Sequence, residues 1–240
     1  MKVLCIGIHI DDCEGSIGGT TLLLAQQGAD ILYVNPKPYL RDGVRNPSVD
    51  AQSMRAAEML SAKKIILDYD ETKYYRNNER TVRALQEIIC DYKPDIVFTM
   101  HPKDNHIEHV ECAITAREAL FAAAVDGIAP NEVYTYECSP NQTMLYFNPD
   151  FHINITSVEE PLKKCLMSYA AKGANGEWIW REKRVRSEYR GLVCSYPLAE
   201  GFKILKFPEG NRGFLLQETL KDYFAWNGTK MYYTREHELL

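Results

Sequence analysis

Residues 2–19 read KVLCIGIHIDDCEGSIGG, and the pattern of this segment is the main indication of the fold. Its first part, KVLCIGI, is a short apolar run bounded by polar residues, which is typical of a strand buried on both faces of a parallel sheet. The glycines of CEGSIGG then interrupt the chain before TTLLLAQQG, which predicts a helix that ends at Gly28. A second strand, ADILYVN, is predicted at 29–35. This order of elements indicates a right-handed βαβ unit.

The same alternation continues through the first half of the chain. It predicts helices at 49–61, 77–92 and 107–124, and strands at 63–69 and 94–100. The second half contains strand-like runs at 131–137 and 151–156, helical segments at 157–171 and 177–191, and an aromatic tail from residue 202 that covers a sheet edge or a neighbouring subunit. We therefore expect an α/β fold with a Rossmann-like, doubly wound, mostly parallel sheet flanked by helices.

Composition favours a globular enzyme. The 240 residues are 45% hydrophobic and 25% charged, and the absence of a linker-like stretch predicts a single domain over residues 1–240. The net charge of -5 and the scattered basic residues argue against nucleic acid as a partner. The N-terminus carries neither a cleavable signal nor a membrane segment, and the seven cysteines are an odd number in mostly apolar context. These features predict a cytoplasmic protein that has no membrane partner and whose thiols are reduced.

Two predicted loops are rich in residues that bind metals. HIDDCE at 9–14 follows the first strand, and HPKDNHIEH at 101–109 follows the strand at 94–100. The carboxyl ends of parallel strands meet at one edge of a sheet, so the two loops should lie together. Imidazole and carboxylate groups are common zinc ligands, and catalytic zinc sites use three protein ligands and one open position. The sequence therefore predicts a catalytic zinc site at this edge.

The spacing within each loop suggests a division of roles. His106 and His109 lie three positions apart on one helix face, so one can bind metal while the other faces charge that develops on a substrate. Asp11 and Asp12 point in different directions, so one can be a ligand and the other a base. Taken singly, His9 is more often an ordinary polar residue, and either aspartate can instead cap the following helix.

These segments resemble a known family. HIDDCEGSIGG at 9–19 and HIEH at 106–109 are similar to the motifs of PIG-L/LmbE-like N-deacetylases, which carry Ala-His-Pro-Asp-Asp-Glu followed by Gly-Gly, and His-x-Asp-His. MRAAEML at 54–60, FHINIT at 151–156 and RGLVCSYPLAEGF at 190–202 resemble later segments of the same family. The resemblance covers most of the chain.

The resemblance implies a zinc-dependent amidohydrolase that removes the N-acetyl group from an N-acetylglucosaminyl or related amino-sugar substrate. It implies that zinc is bound by His9, Asp12 and His109, that Asp11 is the general base, and that His106 stabilises the oxyanion. Together with the aromatic tail, it also raises a homo-oligomer as an alternative to a monomer.

The chain departs from the family pattern at four positions. Ile10 replaces a proline, Cys13 replaces the glutamate that follows the aspartates, Glu108 replaces an aspartate and Asn154 stands where an aspartate is common. Glu14 either supplies the missing carboxylate from one position later or does not. Because the three ligand types and the base are intact, these departures bear on the substrate more than on the chemistry.

Arg55 and Asp104 are candidate substrate-binding residues. Arg55 shares a helix face with Glu58 and either lines the pocket or forms an exposed ion pair. Asp104 alternatively holds His106 through a hydrogen bond or caps the helix. His101 precedes a proline and is expected in a surface turn. Four aromatic residues either stack on a sugar ring or pack in the core: Tyr134, Trp178, Trp180 and Tyr196.

The sequence is compared with three other functions by the chemistry that each requires. A nucleotide-binding protein is disfavoured because GIHIDDCEGSIGG lacks the G-x-G-x-x-G spacing and places carboxylates where a pyrophosphate needs neutral donors. A hydrolase of another N-acyl amide, from a natural product or linked to a nucleotide, stays open, as does a non-catalytic carbohydrate-binding relative.

Overall fold

The structure is a computed structural model of the 240-residue chain. It describes residues 1–41, 43–68, 74–138, 147–171, 174–205 and 214–227. Its strands are β1 (Lys2–Ile6), β2 (Asp30–Asn35), β3 (Leu40–Arg41), β4 (Val44–Arg45), β5 (Ala62–Ile66), β6 (Ile96–Met100), β7 (Glu132–Tyr136), β8 (Phe151–Asn154), β9 (Ala170–Ala171), β10 (Ala174–Asn175), β11 (Ala199–Ile204) and β12 (Phe224–Trp226). Its helices are α1 (Asp12–Gln26), α2 (Pro47–Met59), α3 (Glu79–Tyr92), α4 (Ile107–Val125), α5 (Glu159–Met167), α6 (Gly176–Cys194) and α7 (Leu215–Thr219), with a 3₁₀ turn at Thr156–Val158.

The main sheet joins strands from both halves of the chain. Among the described residues, eight strands form it in the order β12-β8-β11-β7-β6-β1-β2-β5. The five strands from β7 to β5 are parallel, and β11, β8 and β12 extend the sheet in antiparallel pairs. Every residue of β6 and β7 is buried, as expected for strands covered on both faces. The predicted α/β fold with a mostly parallel sheet is confirmed, and the antiparallel extension belongs to the second half.

The predicted start of the first helix is wrong. α1 begins at Asp12, and the glycines expected to break the chain lie inside it. A Cβ on Gly18 would come within 2.8 Å of a Leu162 methyl, and one on Gly19 within 2.7 Å of Ile155. These glycines therefore allow close packing of α1 against its neighbours. Because α1 begins at Asp12, the aspartate pair lies at the N-terminus of this helix, at the carboxyl edge of the sheet.

Part of the aromatic tail covers a sheet edge, as predicted. β12 pairs with β8, and the ring of Phe224 stacks on that of Phe151 with 4.7 Å between the centroids. Residues 206–213 and 228–240 of the tail, which include His237, and the last residue of the strand predicted at 63–69 lie outside the described residues.

All seven cysteines are free, and five of them are buried. This agrees with the predicted reduced thiols. None of the helices in the described parts of the chain combines the length and the apolar character needed to cross a bilayer.

Candidate active site

A cavity of about 500 Å³ opens at the carboxyl edge of β1, β6 and β7. Its volume lies within the range of small-molecule sites. The lining residues come from the loop after β1, the start of α4, the loop after β2 and one face of α6: His9, Ile10, Asp11, Asp12, Gly15, Ser16, Lys37, Pro38, Tyr39, Leu40, His106, His109, Cys138, Trp178, Ile179, Glu182, Lys183 and Arg186.

The structure brings His9, Asp12 and His109 together. His9 Nδ1 lies 3.3 Å from His109 Nε2 and 3.4 Å from Asp12 Oδ2. His109 Nε2 lies 3.8 Å from the other oxygen of Asp12. A tetrahedral zinc ion with bonds of about 2.0–2.2 Å spaces its ligands about 3.3–3.6 Å apart. The two imidazoles approach different oxygens of Asp12, and His9 and His109 also form a possible ligand group with His106.

Hydrogen bonds to Glu108 and Asp104 orient the rings of His9 and His109. His9 Nε2 lies 2.9 Å from Glu108 Oε2, and His109 Nδ1 lies 2.8 Å from Asp104 Oδ2. Because an ionised carboxylate only accepts, each ring donates from that nitrogen and, when the ring is neutral, carries a lone pair on the other. Two imidazole lone pairs and the carboxylate of Asp12 thus converge, which is the donor chemistry that a divalent cation such as zinc requires.

The electrostatics of the site favour a positive charge between His9 and Asp12. Burial disfavours charged His9, but Asp12 and Glu108 outweigh burial and raise its pKa to about 10. Burial also disfavours ionised Asp12, but His9 and His109 hold the pKa of that carboxyl well below its usual range. A cation between His9 and Asp12, whether a proton or a metal ion, is stabilised by this field.

Asp11 faces the cavity with its carboxylate available. It occupies the N-cap position of α1, yet its side chain makes no capping hydrogen bond, so the capping alternative is wrong for this residue. Asp12 Oδ2 instead accepts the main-chain N–H of His9 at 2.6 Å. Burial and the charge of Asp12 raise the pKa of Asp11 to about 6, near the range in which a carboxylate accepts a proton at neutral pH.

His106 presents a hydrogen-bond donor to the cavity. Its Nδ1 accepts the N–H of Glu108 at 3.3 Å, so the neutral ring carries its proton on Nε2. Burial, His109 and His9 lower the pKa of His106, which favours this neutral form. The ring stacks on that of His109 with 4.5 Å between centroids, so the two histidines share a helix face as the spacing predicts.

Asp104 lies behind the site and outside the cavity lining. Its Oδ1 accepts the main-chain N–H of His106 at 2.7 Å, and its Oδ2 bonds the ring of His109. Asp104 therefore holds His106 through a main-chain hydrogen bond, and it also holds the ring of His109. This position also gives no support to the predicted substrate contact.

Arg55 does not reach the cavity. It lies on α2 in a separate surface groove with Gln52 and Glu58, and this position gives no support to the predicted substrate contact. His101 is also buried rather than in a surface turn, with Nδ1 3.3 Å from Thr135 Oγ1.

Two departures from the family pattern are explained by their contacts. Glu108 holds His9 through Oε2, while its Oε1 is bonded by Lys37 Nζ and, at 2.6 Å, by the N–H of Tyr75. Glu14 is fully buried below the loop and contacts Lys64 Nζ at 2.6 Å, so it does not supply a carboxylate to the cavity.

Sequence reasoning missed Lys37, Cys138 and Arg186, and did not separate Trp178 from the other aromatic residues. Cys138 follows the carboxyl end of β7, and this position was a usable signal. No local pattern distinguished Trp178, which is 54% exposed at the cavity, from Tyr134, which is buried in the core.

Comparisons with known proteins agree with this arrangement. The family model described as PIG-L: GlcNAc-PI de-N-acetylase matches residues 4–120. The chain is 24% identical over 237 residues to a diacetylchitobiose deacetylase of Thermococcus kodakarensis, with 85% of this chain and 83% of the relative covered.

Solved structures extend the likeness beyond the matched segment. The N,N'-diacetylchitobiose deacetylase of Pyrococcus horikoshii has a TM-score of 0.66 at 22% identity, covering 85% of this chain and 83% of that one. GalB, the 4-carboxy-2-hydroxymuconate hydratase of Pseudomonas putida, has a TM-score of 0.69 at 22% identity, covering 86% of this chain and 96% of that one. At such identities these structures establish the fold alone.

The family match begins within β1 and ends within α4, so it contains both loops whose side chains converge in the cavity. Residues 4–120 are therefore similar to the PIG-L family in the part of the chain that carries the candidate site.

Proposed function

We propose that this protein is a zinc-dependent amidohydrolase that removes the N-acetyl group from an N-acetylglucosaminyl or related amino sugar. The observation that carries the proposal is the convergence of His9 Nδ1, His109 Nε2 and the Asp12 carboxylate, 3.3–3.8 Å apart, beside the available carboxylate of Asp11. The deacetylase relative and the family description support the reaction type.

His9, Asp12 and His109 would hold the metal ion. A zinc ion in such a site is a Lewis acid that polarises an amide carbonyl and makes water more acidic. Glu108 and Asp104 fix the two imidazole rings in the tautomers that leave the ligand nitrogens unprotonated. These two carboxylates therefore position the ligands before a substrate enters.

Asp11 and His106 supply the proton transfer and the charge stabilisation. Asp11 accepts a proton from the attacking water and returns it to the leaving amine. The Nε2–H of His106 donates to the oxyanion that forms from the acetyl carbonyl, and the loss of one such donor typically costs about 10²–10³ in kcat.

Trp178 supports a sugar as the group that carries the acetamide. It stands half-exposed on the wall of the cavity, where its ring can cover the apolar face of a pyranose. Free cysteines support the predicted cytoplasmic location, and a homo-oligomer stays a prediction.

The test combines metal analysis with acetate release from N-acetylglucosamine and diacetylchitobiose. We expect one zinc ion per wild-type chain, loss of the ion in Asp12→Ala and His109→Ala, and release of acetate by the wild type only. Asp11→Asn is the matched variant: it should keep the ion and lose about 10²–10⁴ of the rate.

Other outcomes separate the alternatives. Bound metal without acetate release, but with retained sugar binding, would identify a non-catalytic relative. Release of another acid from a different N-acyl amide would redefine the substrate. Hydration of a double bond without amide cleavage would point to the chemistry named for GalB. A protein that binds no divalent ion would contradict the site and the mechanism together.

A further inference from the structure

Cys138 lies at the metal-ligand set in a position that the proposed mechanism does not use. It follows β7, whose carboxyl end meets those of β6 and β1 at the cavity. Its Sγ lies 3.1 Å from Asp12 Oδ1. Its main-chain carbonyl accepts hydrogen bonds from Arg186 and, at 3.4 Å, from Ser16 Oγ. The thiol is therefore held against one of the predicted ligands from a fixed backbone position.

The thiol belongs to a second ligand set that overlaps the first. The Cys138 sulfur, an oxygen of Asp12 and a ring nitrogen of His109 all lie within 4.8 Å of one another. Zinc bonds of about 2.3 Å to sulfur and about 2.0 Å to nitrogen place these two atoms about 3.5 Å apart in a tetrahedron. Asp12 and His109 belong to both sets, which places the sulfur beside the ion that they would hold.

A sulfur ligand would change what the site can do. Catalytic zinc sites keep one position open, whereas sites with four protein ligands are closed. His9, Asp12 and His109 already account for three positions, so a thiolate would take the position that the substrate needs. Thiolate also selects soft ions, such as zinc and cadmium, over hard ones.

We propose that Cys138 is a fourth metal ligand, and that its coordination closes the site in a thiolate-bound, inactive state. This inference rests on the proposed function, because it assumes a metal ion on His9, Asp12 and His109. Coordination forms a sulfur–metal bond and releases the thiol proton to solvent, with no change of oxidation state. The open state has the thiol protonated and bonded to Asp12, and in it the enzyme turns over.

The test is the absorption spectrum of the full-length protein stripped of metal and reloaded with Co²⁺. We expect a thiolate-to-cobalt charge-transfer band in the near ultraviolet, in addition to the visible bands of the bound ion. Cys138→Ser should lose the ultraviolet band and keep the visible ones, because serine retains the hydrogen bond to Asp12 but not the sulfur. Cys90→Ser is the matched control and should keep both, since Cys90 is the other half-buried thiol and lies on α3.

Affinity for Cd²⁺ gives a second readout. We expect Cys138→Ser and Cys138→Ala to bind Cd²⁺ at least about tenfold more weakly, a loss typical for a metal-site partner. A thiol that acts only as a hydrogen-bond donor would leave the serine variant equal to the wild type and weaken only the alanine variant, which would overturn the proposal.

The wild-type chain offers a test that needs no variant. Bound Cd²⁺ should protect Cys138 from iodoacetamide and leave the reactivity of Cys90 unchanged, as read by peptide mass. Equal alkylation of Cys138 with and without the bound ion would overturn the proposal. Visible cobalt bands without the ultraviolet band would do the same while leaving the proposed function intact. The absence of any bound ion would contradict both.

Discussion

His106 and His109 lie one helical turn apart but carry their protons on different nitrogens. Nδ1 of His106 accepts a main-chain N–H, whereas Nδ1 of His109 faces the Asp104 carboxylate. The first ring therefore presents a donor to the cavity, and the second presents a lone pair. The partner of Nδ1 therefore determines whether each ring can donate a hydrogen bond to an oxyanion or bind a metal ion.

Asp104→Asn should weaken metal binding without unfolding the protein. The amide cannot match the charged acceptor that fixes the His109 tautomer, and losses of such partners typically cost about 10–100-fold in metal affinity. Competition with a chromophoric chelator would measure this loss. Asp91→Asn, an exposed acid on α3, is the control. Equal affinities in the two variants would contradict the role of Asp104.

Trp178→Ala should raise KM for an amino-sugar substrate. If a sugar covers about 60 Å² of the ring, the contact contributes about 1.5 kcal/mol, or about tenfold in KM. Trp178→Phe should recover most of the effect. Phe121→Ala, on another exposed aromatic residue at 56% exposure, should leave KM unchanged. A KM that is insensitive to Trp178 would remove this residue from the binding surface.

Among the helices, α1 is held by a buried carboxylate from the second half of the chain. Glu200 on β11 accepts the N–H groups of Gly19 at 3.0 Å and Thr20 at 2.8 Å, and it pairs with Lys183 of α6. Burial lowers the pKa of Lys183 to about 8, although Glu200 opposes this shift. One side chain therefore connects three elements around the loop that carries the metal ligands.

Glu200→Gln should destabilise the fold by about 3–5 kcal/mol, because it leaves Lys183 buried without a compensating charge. Urea unfolding would report this as a lower midpoint. Glu188→Gln is the matched control: it breaks the exposed pair with Arg184, at 2.8 Å, and should cost less than about 1 kcal/mol. Similar losses of unfolding free energy in the two variants would show that the buried pair of Glu200 and Lys183 stabilises the fold no more than the exposed pair does.

In the whole molecule, the two halves of the sheet contribute different parts of the site. The parallel strands from the first half carry His9, Asp12 and His109 to one edge. α6, from the second half, closes the cavity with Trp178 and Arg186. Chemistry and substrate contacts therefore come from different parts of the chain, and substitutions in each part should affect different kinetic constants.

The stability of the whole molecule should fall on mild acidification because of His152. This residue is fully buried in β8, and neither ring nitrogen has a hydrogen-bond partner among the described residues. Burial and the charge of Arg190 lower its pKa to about 4, below the usual 6.5. The unfolded state then binds the extra proton more readily, so stability is full above about pH 6.5 and is lost as pH falls towards 4.

His152→Leu should remove this contribution, because leucine does not titrate. We expect the free energies of unfolding to be similar at pH 7, and the wild type to lose up to about 3 kcal/mol more than the variant between pH 6.5 and 4. Urea unfolding at several pH values would measure the difference. Parallel pH profiles for the two proteins would mean that His152 does not titrate as its burial implies.

The parallel half of the sheet and the edge at which the site lies follow from local sequence patterns. Strands buried on both faces must be continuous apolar runs, as in β1 and β6, and this local pattern is legible without a structure. The motif residues His9, Asp12 and His109 lie in the segments that follow the ends of those strands, so their convergence was predictable from the strand ends.

The neighbours that these residues contact depend on how the elements pack in three dimensions. The glycines of α1 allow close packing rather than break the helix, because Leu162 and Ile155 approach from more than a hundred residues away. Asp104 holds His109, Cys138 lies on Asp12, and Trp178 rather than Tyr134 reaches the cavity. Each of these facts depends on the direction of a side chain relative to a neighbouring element. Hydrophobic periodicity reports whether a face is buried, but it does not report what lies against that face.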